Sequence, residues 1–287
     1  MISDGDLLSS FTDAAGNVVP VLCARNLGLL HDTFDVGVDL GLDAVDVVSA
    51  TVPLVVFSTE LNSPNAGQFT HGDLLVTNGV IILNRALTAP WQTSYDLGLD
   101  AVHFTGTPAE IIRFLDEAAQ VVQPVDAAEL AALLDKVPTI DILFSTEGTY
   151  VVAGAPGFLD GDLLSARTGT VVAAQKDLPP AAAPAGIPSD GVDFGLDAVT
   201  MPRLFDVQQL RFSTEILYRD TVAFTDGDDL RYGAGVVVTN GDLLAAFQPA
   251  ARELGLDALH RYMASENQVA IYLPLVMKEF QAPVERR

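Results

Sequence analysis

Short apolar runs separated by turn residues recur along the chain, and they come in pairs. Residues 42–48 (LDAVDVV) and 54–59 (LVVFST) are two such runs, rich in β-branched and aromatic side chains and joined by a short connection. Residues 73–76 (DLLV) and 80–83 (VIIL) form the next pair, flanking Thr77-Asn78-Gly79. Runs this short, bounded by turn signals, predict strands rather than helices. Asn-Gly between two of them predicts a tight hairpin, because both turn positions tolerate positive φ. Two hairpins, four strands in all, make one unit.

The unit repeats. An acidic residue two positions before GLDA appears at 39–44, 96–101, 193–198 and 253–258, and FSTE at 57–60, 144–147 and 212–215. A Gly-Asp turn begins at Gly5, Gly72, Gly161 and Gly227, in steps of 67, 89 and 66 residues, the long step reflecting an insertion between Gly106 and Pro138. The units exceed the ~40–45 residues of a WD40 blade. Much of the excess lies between the second hairpin and GLDA, as in the Pro/Ala-rich stretch 177–193. Four-stranded units repeated four times predict a propeller. The chain opens on a Gly-Asp hairpin with no GLDA hairpin before it and finishes on a GLDA hairpin with no Gly-Asp hairpin after it. Joining these halves would remove two exposed sheet edges. The expected architecture is therefore all-β: one domain over residues 1–287, a four-bladed β-propeller closed by the N- and C-terminal hairpins. An open stack or paired sandwiches is the rival arrangement.

The insertion, residues 107–136, has a different period. Thr107-Pro108-Ala109-Glu110 is a capping box with proline at the first helical position. Ile111, Leu115, Ala118 and Val122 then fall on one helical face, and Pro124 is expected to stop the helix. Asp126 with Glu129 caps a second helix ending near Lys136. The apolar stripe of this helical hairpin must be buried, over the rest of the chain or on a partner.

Charge narrows the function classes. With 49% apolar residues and 18% charged, the chain has the composition of a folded protein. Its 38 acids against 15 bases give −23, which disfavours nucleic acid and anionic membranes and favours cations or basic partners. Cys23 is the only cysteine, so neither an intrachain disulfide nor a cysteine zinc cluster is available. No apolar run reaches the ~18 residues of a membrane span, so no membrane insertion is expected. The opening MISDGDLL shows neither the basic nor the apolar region of a secretory signal.

The acidic motif is the strongest candidate for chemistry. Asp43, Asp100, Asp197 and Asp257 occupy the same position in the four copies, and if GLDA starts the innermost strand they would ring a central channel. Carboxylates brought that close raise one another's pKa unless a cation intervenes, and such oxygen ligands suit Ca²⁺ or Mg²⁺. The same acids could instead accept hydrogen bonds from backbone amides of the neighbouring repeat. The FSTE acids Glu60, Glu147 and Glu215 follow a strand and are expected to reach solvent or cap a loop. The Gly-Asp turns lack the spacing of a calcium-binding EF-hand and suit tight turns. Ser58, Ser145 and Ser213 recur, as structural serines do, and no G-x-S-x-G elbow, P-loop or H-E-x-x-H is present. His103 and His260 stand where other copies carry Asp46 and Thr200; they are expected as surface polar positions, with a metal or catalytic use open if they converge. Trp91 and Tyr95, on the connection before the second GLDA, could stack on a sugar or cover apolar surface. Catalytic residues are not indicated by any of these patterns.

The GLDAV, FSTE and DGDLLS phrases and the ending IYLPLVMK resemble repeats of uncharacterised bacterial secreted or surface proteins that are propeller-like. The resemblance spans nearly the whole chain except the helical insertion and implies an extracellular or cell-surface location. Two functions follow as expectations. One is a non-catalytic binding or scaffold module with a divalent cation in its channel and a small molecule, glycan or protein as partner. The alternative is a hydrolase or lyase acting on an extracellular polymer, which needs unique polar residues from several repeats in one pocket.

Overall fold

The computed structural model describes residues 5–12, 18–49, 54–65, 67–151, 157–185, 191–245, 247, 255–264 and 268–275. Strands β1 (Asp6–Thr12) and β2 (Val18–Ala24) form the opening hairpin, followed by helix α1 (Asn26–Phe34). Leu30 and Phe34, one helical turn apart, are the buried face of α1, with the Phe34 ring edge-on to Phe57 and Phe69. The first complete repeat gives β3 (Val45–Ser49), β4 (Leu54–Phe57), β5 (Leu74–Val76) and β6 (Ile81–Ile82), then the short helix α2 (Asn84–Leu87). These strands pair antiparallel in chain order, with Val45 opposite Phe57 and Leu75 opposite Ile81.

The second repeat supplies β7 (Val102–Thr105), the helices α3 (Pro108–Ala118) and α4 (Ala127–Lys136), then β8 (Asp141–Phe144), β9 (Leu163–Ser165) and β10 (Thr170–Ala173), in sheet order β10-β9-β8-β7. The third has β11 (Ala198–Thr200), β12 (Arg211–Ser213), a small separate hairpin β13 (Tyr218–Arg219) and β14 (Ala223–Phe224), then β15 (Asp229–Arg231), β16 (Gly235–Val238) and helix α5 (Asn240–Leu244). Finally β17 (His260–Ala264) pairs with β18 (Gln268–Leu275), which pairs in turn with β1, placing Asp6 opposite Leu275.

Three of the four Gly-Asp aspartates clamp their hairpins in the same way. Asp73 accepts from Thr70 N at 2.8 Å and Asn84 N at 2.9 Å, Asp162 from Leu159 N and Gln175 N, and Asp228 from Thr225 N and Asn240 N. One oxygen closes the turn and the other holds the amide that follows the next strand. These acids serve the backbone, as a turn aspartate does.

The four-bladed propeller expected from the repeats is not what the structure shows. The β-structure is divided into separate antiparallel sheets of two to four strands, and among the described residues no sheet closes on itself. The strands are short, and the connecting stretches carry helices, so each hydrogen-bonded ladder ends within its own unit. Pairing of the opening and final strands does occur, within the sheet β17-β18-β1-β2. Packing between sheets is done by side chains. The largest apolar cluster sets Val56 and Leu74 of one sheet, with Phe104 and Phe144 of the next, against Ile111, Phe114, Leu115 and Leu133 of α3 and α4.

The insertion begins as its caps dictate. Thr107 Oγ1 accepts from Glu110 N while the Glu110 carboxylate accepts from Thr107 N, and Asp126 accepts from Ala128 N and Glu129 N. Helix α3 ends at Ala118, before Pro124, so Val122 lies beyond it and is 86% exposed rather than part of the stripe. Trp91 is buried edge-on to Phe144 and Phe158, whereas Tyr95 stays exposed beside Tyr150. Among the described residues no helix is long and apolar enough to cross a membrane.

Candidate metal centre

The acidic motif builds the same local shape in each described copy. Asp39, Asp96 and Asp193 each accept from the N–H of the glycine two residues on, at 3.2, 3.0 and 3.3 Å. Those glycines, Gly41, Gly98 and Gly195, have φ of 71°, 74° and 69°, where a side chain is strained. A Cβ on any of them would also strike the FSTE glutamate of its own repeat, with Glu60 Cδ at 2.8 Å, Glu147 Cδ at 2.5 Å and Glu215 Cδ at 2.4 Å. The glycine is therefore needed for the turn and for the glutamate to lie across it. Glu253, the fourth copy's first acid, lies outside the described residues.

The FSTE serines carry the motif from one repeat to the next. Ser58 Oγ accepts from Ala44 N of its own repeat and donates to Leu99 O of the following one, both at 2.8 Å. Ser145 Oγ donates to Leu196 O at 2.7 Å and Ser213 Oγ to Leu256 O at 2.6 Å. Each bonded leucine immediately precedes the motif aspartate, so these bonds set where Asp100, Asp197 and Asp257 sit. The serines are fully buried and their hydroxyls are committed to this link.

All four motif aspartates are buried. Among the described residues, oxygens of Asp43, Asp100 and Glu147 come within 4.8 Å of one another. Asp100 is only 4% exposed, and its Oδ2 has no hydrogen-bond partner. Burial, and then the charges of Asp43, Glu215, Asp197 and Glu147, push its carboxyl well above the usual range. Glu147 sits at the rim, 45% exposed, with Oε1 3.9 Å from His71 Nε2. The expected set Asp43, Asp100, Asp197 and Asp257 is thus brought together in part. Asp43 and Asp100 converge with Glu147, Asp197 acts on Asp100 through its charge, and Asp257 belongs to no such group of three among the described residues. Glu147 was expected to reach solvent, and it does, but it also completes the cluster. Its signal was present in the glycine pattern, since Gly98 leaves room for the carboxyl.

A second cluster lies on the same first strands, three residues further on. Asp46, His103, Thr200 and His260 are all buried, which corrects the expectation of surface histidines. The first strands face one another, β3 beside β7, β7 beside β11, β11 beside β17 and β17 beside β3. Asp46 is the centre. Its Oδ2 accepts from Arg203 Nη1 at 2.5 Å and Phe104 N at 2.7 Å. Its Oδ1 accepts from Arg203 Nη2 at 2.9 Å and has His260 Nδ1 at 2.8 Å. Arg203 also donates to Phe104 O and Val47 O, both at 2.8 Å.

Burial works to raise the Asp46 carboxyl, but the Arg203 guanidinium, the His260 hydrogen bond and the two imidazoles hold it well below the usual range. His103 is pushed down to about 3 by burial and by the Arg203 and His260 charges, against the pull of Asp46. Burial also lowers His260, against its bond to Asp46. Ligand atoms of Asp46, His103 and His260 lie within 4.8 Å of one another, a spacing a metal could use. Both Asp46 oxygens are nevertheless already engaged by cationic or N–H donors, and a metal would have to displace the guanidinium. The chemistry of this cluster is that of a clasp between repeats. Arg203 was missed in the sequence, because it has no counterpart in the other copies.

Compared with protein families, with curated proteins and with solved structures, the chain matches none.

Proposed function

We propose that this protein is a non-catalytic, cation-binding scaffold module, with a hard divalent cation held by Asp43, Asp100 and Glu147. The observation that carries the reading is the buried Asp100 carboxylate, whose Oδ2 is without a hydrogen-bond partner and one of whose oxygens lies within 4.8 Å of oxygens from two further carboxylates. A buried carboxylate that lacks donors is costly, and a cation supplies what the protein does not. All-oxygen ligands select Ca²⁺ or Mg²⁺ over softer metals. Calcium accepts the irregular geometry that a rim glutamate and two motif aspartates offer, whereas Mg²⁺ demands a near-ideal octahedron. A site of a few carboxylates open to solvent on one side suits the 10⁻⁴–10⁻³ M affinities typical of extracellular modules. That agrees with the location the motifs imply. The recurring serines and Gly-Asp aspartates are spent on architecture, which supports a scaffold rather than a hydrolase or lyase.

The test is thermal unfolding with chelator and with added Ca²⁺. A cation that binds only the folded chain stabilises it by about 2.7 kcal/mol at a hundredfold excess over Kd, so the midpoint rises. Asp100→Asn removes a ligand and an uncompensated buried acid together. The variant should melt higher than the wild type in chelator and show no calcium response. An unchanged wild-type midpoint at about 100 mM calcium, a hundredfold above the weaker of these affinities, overturns the reading.

A further inference from the structure

We infer that a sugar bearing a carboxylate, a uronate residue, binds in the cleft between helix α2 and the connection that leads into the second GLDA. The cleft encloses about 280 Å³, and its lining falls into two sets. The inner groups are spent on the fold. Asp73 accepts one backbone amide on each oxygen, and Asn84 donates to Gly98 O and accepts from Leu97 N. Asp96 accepts from Gly98 N and from the Thr70 hydroxyl. The outer groups are unspent. Arg85, Ser94 and Tyr95 are exposed, and none makes a hydrogen bond or ion pair among the described residues. In a chain with 38 acids against 15 bases, a guanidinium at a cleft without an acid of its own is open to a carboxylate from outside, which its planar fork can hold by two bonds.

Tyr95 supplies the second half of the recognition. It is 52% exposed, yet its ring stands edge-on to Tyr150 at 6.4 Å. Tyr150 packs on Phe158 at 5.9 Å, and Phe158 on the buried Trp91 at 5.2 Å, so a ladder of rings ties Tyr95 to the core. The connection is pinned as well. Gln92 turns at φ 60°, Tyr150 Oη donates to its carbonyl at 3.4 Å, and the Thr88 and Thr93 hydroxyls are bonded to each other. A ring fixed before the ligand arrives loses little freedom on binding. An apolar face with a polar tip matches a pyranose, whose C–H face is apolar and whose edge carries hydroxyls. Ligand pockets are typically about 300–1,000 Å³, so this small one takes a single sugar residue and leaves the rest of a chain outside. Repetition separates the two sets again. Asp73 and Asn84 recur as Asp162 with Gln175 and Asp228 with Asn240, as architecture does. Where the second repeat reads Ser94-Tyr95 before its motif acid, the others read Gly37-Val38, Gly191-Val192 and Ala251-Arg252. The stacking ring and free hydroxyl belong to one copy alone, as a binding site on a repeated frame requires.

Calorimetric titration of the full chain tests this, with chelator present so that the result is independent of the calcium reading. The probes are the trimers of galacturonate, glucuronate and mannuronate, each beside its neutral counterpart. At least one acidic trimer should bind, about tenfold or more tighter than its neutral counterpart. Arg85→Gln should remove that preference, and Tyr95→Ala should weaken the acidic trimer by about tenfold. Both side chains are exposed, and circular dichroism checks that the variants fold; Tyr95→Ser replaces Tyr95→Ala if that variant does not. Binding by none of the acidic trimers overturns the site. So does a neutral trimer bound as tightly as its acidic counterpart, or an affinity unchanged in either variant.

Discussion

Asp100 and Asp46 sit at the starts of neighbouring repeats, both removed from water, yet their surroundings treat them in opposite ways. Asp46 is met by a two-pronged guanidinium, a backbone amide and an imidazole, and its carboxyl is held well below the usual range. Asp100 is met by other carboxylates, and its carboxyl is driven up. Burial is common to the two, so burial alone does not decide what an acid does. The counter-charge decides. Where the chain brings its own, as with Arg203, the acid becomes a structural clasp. Where it brings none, burial and like charge drive the carboxyl up.

The largest expected effect tests the clasp. Arg203→Met should cost about 3–5 kcal/mol of stability, because it strands a fully buried carboxylate and frees two carbonyl acceptors. Denaturant unfolding measures this, and a loss below about 1 kcal/mol would place Asp46 in the same class as a surface acid. The double variant Asp46→Asn/Arg203→Met should recover part of the loss, since no charge is then left buried.

A smaller effect appears with acid. His103 titrates at about 3 in the fold against an ordinary 6.5, so the unfolded chain takes up the proton first. The stability it contributes is complete above pH 6.5 and is lost as pH falls toward 3. Between pH 7 and pH 5 the loss is about 2 kcal/mol. Asp46, Arg203 and His260 are the charged or titratable neighbours of the ring. Raised carboxyls such as Asp100 work in the opposite sense, losing stability as pH rises from the ordinary carboxylate range. The readout is therefore the difference between wild type and His103→Gln in urea midpoints across that interval, and equal slopes would show that His103 is not held neutral.

The smallest effect separates the two regions. Ser145→Ala removes one buried link between repeats and leaves Leu196 O short of a donor, a cost of about 1 kcal/mol. It should disturb the placement of Asp197 while leaving the acid response of the Asp46 clasp unchanged. Loss of both would mean that the clusters are one mechanical unit.

Much of this was legible in the sequence, and the boundary is instructive. The hairpins, the glycine turns, the capping box at Thr107 and the structural part played by the serines all follow from local chemistry repeated at a fixed interval. Asp43 and Asp100 could be nominated because they recur. Glu147 was passed over because a residue after a strand usually points to water, and only its fit over Gly98 brings it to the cluster. Arg203 lay beyond reach, since it answers Asp46 from 157 residues away and occurs once. Periodicity reports what copies share, and a clasp between copies depends on what one of them has alone. The closed propeller failed for a related reason: repetition predicted units and their edges, while the short strands and intervening helices confined each ladder to its own sheet.

The pairing of β1 with β18 sets the order in which the molecule can be completed. Asp6 finds its ladder partner at Leu275, so during synthesis the opening hairpin leaves the ribosome long before the strand that covers its edge exists. Until then it offers an open row of amides and carbonyls to any neighbouring chain. Shortening the tail by a single strand would return the finished protein to that exposed condition.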